Sequence, residues 1–182
     1  MLQQAGLDPR KDGAYIAAAP VSPPGCRSEY EYAELSLATP VVSTTLLARL
    51  ANAVEAGLRL LSLVRMPPWS PEIRTALRAR CYEMTCPSVV SGKVDTFLAA
   101  THWPWTRWKK GQIRELDIRP AVTEIICLSG RVRFALECSD IAPKPAEVIA
   151  SIFGLPLVEC QLLPITCTGI RMNRQTAYLG YS

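Results

Sequence analysis

Apolar positions fall into short runs along the chain, and their period changes several times. Between Glu31 and Leu37 apolar and polar residues alternate as a half-buried strand requires, and Pro40 ends the run. Leu46, Leu47, Leu50 and Val54 then recur at helical spacing, with Ser43 placed to cap that helix and Gly57 to stop it. Leu58 to Val64 is nearly continuous in leucine, the pattern of a strand covered on both faces. Ser70-Pro71-Glu72 carries the signals of a helix start: a cap oxygen, a proline at the first helical position and an acid on the positive dipole end. Tyr82, Met84 and Cys86 share one face of the next strand, and Val94, Phe97 and Leu98 form a short helical stripe.

The clearest hairpin runs from Val122 to Leu128, turns at Ser129-Gly130 and returns from Arg131 to Cys138. Its second arm sends Val132, Phe134, Leu136 and Cys138 inward and Arg131, Arg133 and Glu137 outward. Pro145 opens a helix with Val148, Ile149, Ile152 and Phe153 on one face, and Gly154 closes it. Val158, Cys160 and Leu162 belong to a last strand, beyond which the chain turns polar. From residue 80 onward this order is close to a β-α-β-β-α-β split unit, with an extra turn-linked strand between its repeats.

Leu2-Gln-Gln-Ala-Gly6 has the pattern of a helix end, and a strand, a helix and a strand follow it. That is the back half of a second such unit. The expected class is therefore α+β: tandem ferredoxin-like halves with antiparallel sheets, the first incomplete because it begins after its first strand and most of its first helix. The halves are expected at residues 1–79 and 80–168, with a polar tail at 169–182.

Composition narrows the function classes. With 49% hydrophobic and 20% charged residues, 182 residues are enough for a buried core. No apolar run reaches the ~18 residues of a membrane span, and no secretory signal pattern follows Met1, so a soluble cytoplasmic protein is expected. Seven cysteines lack paired C-x-x-C spacing and are expected as reduced, buried hydrophobes. The single histidine, His102, disfavours His-based zinc sites and Ser/His or Cys/His catalysis. No phosphate-binding loop, nucleophile elbow or iron–sulfur cysteine triad is present, and no metal or cofactor is expected.

Candidate chemistry gathers in His102–Pro120, which holds three of the four tryptophans. Between Pro104 and Arg119 five basic residues face two acids, so this stretch supplies +3 of the net +4. Trp105, Arg107, Trp108, Lys109, Lys110, Arg114 and Arg119 are the candidate contacts for RNA or a partner, since bases stack on indoles while cations meet phosphates. A core-facing Trp103/Trp105 pair on a solvated hairpin, with Lys110-Gly111 as its turn, explains the same residues. Asp117 and Arg119, two apart on a strand, can pair across one face. An ionised carboxylate there suits a nucleophile or an anion clamp, and equally a structural pin. Arg27-Ser28-Glu29-Tyr30-Glu31-Tyr32 can bind a cation or polar ligand, or can simply lead into a strand.

Two segments carry a family resemblance. Ala19-Pro-Val-Ser-Pro-Pro-Gly25-Cys-Arg-Ser28-Glu29-Tyr30-Glu31-Tyr32-Ala33-Glu34-Leu35 resembles the PLPxGxxSExEYxxL stretch of the radical-SAM-linked proteins, a bacterial family also called domain of unknown function 2344. Lys109 to Pro120 is similar to its KKGxxxxxDIRPxI signature, and Pro145 with Glu147-Val148 matches its P-x-E-V helix. Ser28, Glu29, Lys110, Gly111, Asp117, Arg119 and Pro120 fall on signature positions. The resemblance implies an accessory role beside a radical SAM protein, with no assigned activity to inherit. The family's usual SHLD helix and GFxPHP element have no counterpart, Asp8-Pro9-Arg10-Lys11 standing where the latter belongs.

The leading expectation is thus a non-catalytic module that binds RNA or a partner protein, without a membrane role. The alternative is an RNA-modifying enzyme with a pseudouridine-synthase-like two-half cleft, in which Asp117 is the nucleophile and Arg119 its partner, an analogy of architecture alone.

Overall fold

The computed structural model describes residues 15–18, 26–29, 31–85, 91–109, 111–128, 130–139 and 141–172. In chain order these form β1 (Tyr15–Ala18), β2 (Arg27–Ser28), β3 (Ala33–Ser36), α1 (Ser43–Ala53), α2 (Ile73–Ala76), β4 (Leu77–Thr85) and α3 (Ser91–Ala99). Then come β5 (Pro104–Lys109), β6 (Gln112–Asp117), β7 (Val122–Leu128), β8 (Arg131–Glu137), α4 (Pro145–Phe153), α5 (Leu157–Leu162) and β9 (Thr166–Met172). The class is mixed α+β, as expected. No helix among the described residues is long and apolar enough to cross a membrane.

The chain divides into two compact units. One holds β1, β3, α1 and α2. Its β1 and β3 form an antiparallel ribbon from Tyr15 opposite Ser36 to Ala18 opposite Ala33. Of the expected α1 stripe, Leu46 and Leu50 are buried and Leu47 and Val54 half-buried; Leu46 and Leu50, together with Ala53, pack against Leu35, Leu37, Val41, Leu60 and Leu63. Ser43 is the first helical residue, and Val42 takes the cap position.

Two expectations fail in this unit. Leu58–Val64 forms no strand. Its exposure repeats every third residue, with Leu60, Leu63 and Met66 turned inward and the two residues between them exposed. A strand would give a repeat of two; three is the repeat of an extended polyproline II helix. The helix after Ser70 lasts a single turn, with the Ile73 N–H on Glu34 Oε2 at 3.1 Å, before Leu77 begins β4.

The other unit contains β2 and everything from β4 to β9. Its main sheet has the order β2-β9-β4-β8-β7, antiparallel throughout except for the parallel β2–β9 edge. The β7–β8 hairpin turns through Gly130 at φ 77°, a conformation that favours glycine. Val132, Phe134 and Leu136 of β8 join Tyr82 and Met84 of β4 on the buried face, against Val94 and Phe97 of α3 and Val148, Ile149, Ile152 and Phe153 of α4. Helix α4 begins at Pro145 and ends at Gly154, in the left-handed conformation at φ 65°. Leu98, expected within the α3 stripe, is exposed.

The end of the chain departs from expectation as well. Val158, Cys160 and Leu162 lie on α5, behind Pro156 and with Glu159 in the first turn; only Cys160 is buried. The last strand among the described residues is β9, in the more polar Thr166–Met172. It is hydrogen-bonded on both sides, to β2 and to β4, so backbone pairing holds it where side-chain apolarity gives little signal. Cys160 and Cys167 are buried, and Cys26, Cys81, Cys127 and Cys138 are partly buried. Burial pushes the Cys26, Cys138 and Cys160 thiols up. Cys86 lies outside the described residues.

Phe97 is fully buried, with Trp103 edge-on at 5.3 Å between ring centroids. Phe97→Ala is expected to lower the stability of this unit by about 3–5 kcal/mol, read as a fall in the urea midpoint.

Candidate docking hairpin

Among the described residues, strands β5 and β6 pair with each other and with no strand of the five-stranded sheet. In their register Trp105 faces Leu116, Arg107 faces Arg114 and Trp108 faces Ile113. Paired residues share a face, and successive pairs alternate. Trp105 and Arg107 therefore lie on one side, and Trp108 with Ile113 on the other.

The first side is bolted to the core. Trp105 packs against it, and the adjoining Trp103 donates from Nε1 to Ser151 Oγ at 2.6 Å. Arg107 donates from Nε to Glu147 Oε1 at 2.8 Å, from a terminal nitrogen to Glu147 Oε2, and to the Ala142 carbonyl at 3.0 Å. Glu147 Oε2 also accepts the Lys144 N–H at 2.7 Å, so one buried carboxylate holds both the α4 start and the hairpin. An open groove of about 520 Å³ runs alongside, lined by Trp103, Pro104, Trp105, Ala150, Ser151, Gly154 and Leu155.

The base of the hairpin is held by Asp117 and Arg119. Asp117 Oδ1 accepts the backbone N–H groups of Trp103 at 2.9 Å and Arg119 at 3.0 Å, while Oδ2 lies 2.8 Å from His102 Nδ1. The Trp103 N–H foremost, then His102, holds this carboxyl below the usual carboxylate range. Arg119 does not pair with Asp117 through its side chain, contrary to the sequence expectation. The chain leaves the strand at Ile118, which is buried, and Arg119 turns back to donate to the carbonyls of Ala100 at 3.1 Å, Leu98 at 3.4 Å and Val122 at 3.4 Å. Its guanidinium sits 5.2 Å from the Phe97 ring centroid. A cation at the end of α3 meets carbonyls that the helix leaves unsatisfied.

The seven candidate contacts thus separate. Trp105, Arg107 and Arg119 face inward onto the fold. Trp108 and Ile113 are 69% and 64% exposed, and Arg114 is exposed. Lys109 pairs with Gln112 near the turn, Gly111 supplies φ 77° there, and Lys110 lies outside the described residues. Pro120 is exposed in the turn after β6. His102, discounted from sequence as a lone histidine, is the partner of Asp117. Nothing local announces it, because the pairing spans fifteen positions and depends on the closed hairpin.

The earlier signature stretch packs elsewhere in the same unit. Arg27 and Ser28 lie along β9, opposite Thr166 and Cys167, and the Glu29 N–H donates to the Cys167 carbonyl at 3.0 Å. Glu31 takes both terminal nitrogens of Arg80, at 3.3 and 3.0 Å. Arg80 is 96% buried on β4, its exposure being 4%, with Cys167 Sγ 3.9 Å away. Burial raises the neighbouring Tyr82 hydroxyl pKa. Arg80 was not among the sequence candidates, since within Arg78-Ala-Arg80 nothing separates the buried arginine from the exposed one. Among the described residues no group of three His, Cys, Asp or Glu could hold a metal.

Both signatures lie within residues 5–142, the span matched by the model of a family described as an uncharacterised protein conserved in bacteria, domain of unknown function 2344. The chain belongs to this family. No curated protein matches it. The match ends before α4, so Glu147, which fastens Arg107 of the hairpin, and strand β9, which pairs with Arg27 and Ser28, come from beyond the matched span.

Two outcomes follow from these contacts. Arg107→Ala leaves Glu147 buried without its partner and is expected to cost about 3–5 kcal/mol, whereas Arg107→Met with Glu147→Met recovers most of that loss in urea unfolding. Asp117 has its folded pKa below its unfolded value of about 4. Its contribution is therefore present above that pH and lost as pH falls through the lower folded value. The stability gap between wild type and Asp117→Asn should shrink across that acid window, measured as urea midpoints from neutral to strongly acid pH.

Proposed function

We propose that the chain is a non-catalytic accessory module of its bacterial family and that the β5–β6 hairpin docks a partner protein. The observation that carries this reading is the Trp108–Ile113 pair. Two large apolar side chains stand opposite each other, both mostly exposed, on a ribbon whose other side is fastened to the core. Exposed, rigid aromatic anchors are among the residue types that dominate protein interfaces. The partner implied by the family resemblance is a radical SAM protein. The contacts of Asp117 support a positioning role over that of a nucleophile, since both carboxylate oxygens are engaged in holding the hairpin base.

RNA is the second reading, favoured by the exposed Trp108 indole, although Arg114 lies on the opposite, Arg107 side of the ribbon. Charge weighs against it, because Arg107 and Arg119 are committed to Glu147 and to backbone carbonyls.

The wider architecture supports a finer description. The path β4-α3-β7-β8-α4-β9 with strand order β9-β4-β8-β7 fits a ferredoxin-like split unit, the docking hairpin being inserted between α3 and β7. We read the β3-α1 segment as a partial counterpart of that unit.

Trp108→Ala is expected to weaken binding of the purified radical SAM partner at least tenfold in calorimetry, with unfolding unchanged. Equal affinity would overturn the reading. Salt-dependent binding of a single-stranded RNA oligonucleotide that is lost in the same variant would favour the second.

A further inference from the structure

A second surface lies in the other unit and owes nothing to the hairpin. Leu58, Leu61 and Val64 are 64%, 55% and 51% exposed. They stand every third residue, while Leu60 and Leu63 anchor the same segment on α1. A threefold repeat gives a second exposed edge, made of Arg59, Ser62 and Arg65. Among the described residues neither Arg59 nor Arg65 enters an ion pair. The result is an apolar ridge one side chain wide, beside a basic edge with a cation at each end.

We infer that Leu58–Arg65 is a preformed ligand for an apolar groove of a protein partner rimmed by carboxylates. Extended threefold segments dock into such grooves because little chain entropy remains to be lost on binding. Here the anchoring of Leu60 and Leu63 has already met that cost. The two arginines bracket the Leu61 position of the ridge in sequence, so the partner's acids should lie toward the two ends of its groove. A ridge this narrow suits a groove better than a bilayer surface, where a broad apolar face is needed.

The test places a photo-crosslinking residue at Leu61 of the full chain in bacterial cells, with Thr44 on the exposed side of α1 as control. The protein captured at Leu61 and not at Thr44 is then purified and titrated. Leu61→Asp and the double variant Arg59→Glu, Arg65→Glu should each weaken its binding at least tenfold. Wild-type binding should weaken as salt rises, and Trp108→Ala should leave it unchanged. All positions changed are exposed, and equal urea midpoints confirm that the variants fold. No adduct specific to Leu61 would overturn the inference, as would binding indifferent to both variants. Sedimentation of the chain with phosphatidylglycerol vesicles, lost in Leu61→Asp, would overturn it in favour of a membrane surface. Loss of hairpin binding in Trp108→Ala while this titration stands unchanged separates the two surfaces.

Discussion

An isolated two-stranded ribbon is marginal in water, and among the described residues β5–β6 has no third strand to lean on. Its existence depends on being fixed from one side, and that constraint organises much of the larger unit. Three fastenings supply it: the Arg107–Glu147 pair, the two tryptophans against the core, and the Asp117–Arg119 turn. Each joins the hairpin to a different place, namely the α4 start, the α4 surface beside Ser151, and the end of α3. Shifting the ribbon by one residue would exchange its faces, burying Trp108 and exposing Arg107. The fastenings therefore set register as well as position.

The DIRP motif gains a physical meaning from this arrangement. Its aspartate closes a turn onto two backbone N–H groups, its isoleucine enters the core, and its arginine meets the carbonyls at the end of α3. Charged residues in a signature invite a catalytic reading. Here their partners are mostly main-chain atoms, and the chemistry is that of terminating a strand and a helix at one point. Glu31 is used comparably, reaching a buried arginine and so fixing the earlier signature beside β9.

How much of this was legible in the sequence varied with the kind of signal. The β7–β8 hairpin and α4 announced themselves, because alternation, a Gly turn, a Pro start and a Gly stop all agreed with the packing. Leu58–Val64 misled, since a run of leucines looks equally apolar whether its period is two or three. Val158–Leu162 misled because alternate apolar residues also occur on a short exposed helix. Strand β9 was illegible as a strand because its stabilisation comes from two neighbours, and composition does not record neighbours. At the site, the concentration of Trp and Arg was visible, but which of them faced inward was decided by Glu147, forty positions from Arg107. His102 and Arg80 went unmarked for the same reason.

Strand β9 has one more consequence, which concerns time. Arg27 and Ser28 pair with Thr166 and Cys167, which the ribosome makes much later. Through most of synthesis the Ser-Glu signature has no edge to join, and β4 lacks the neighbour that completes its second side. The antiparallel trio β4, β8 and β7 can assemble first, because its strands are made in succession. The early signature gains its β9 pairing only once Thr166 and Cys167 are made. The sheet thus joins segments far apart in sequence, and until β9 pairs, one side of β4 is an open sheet edge.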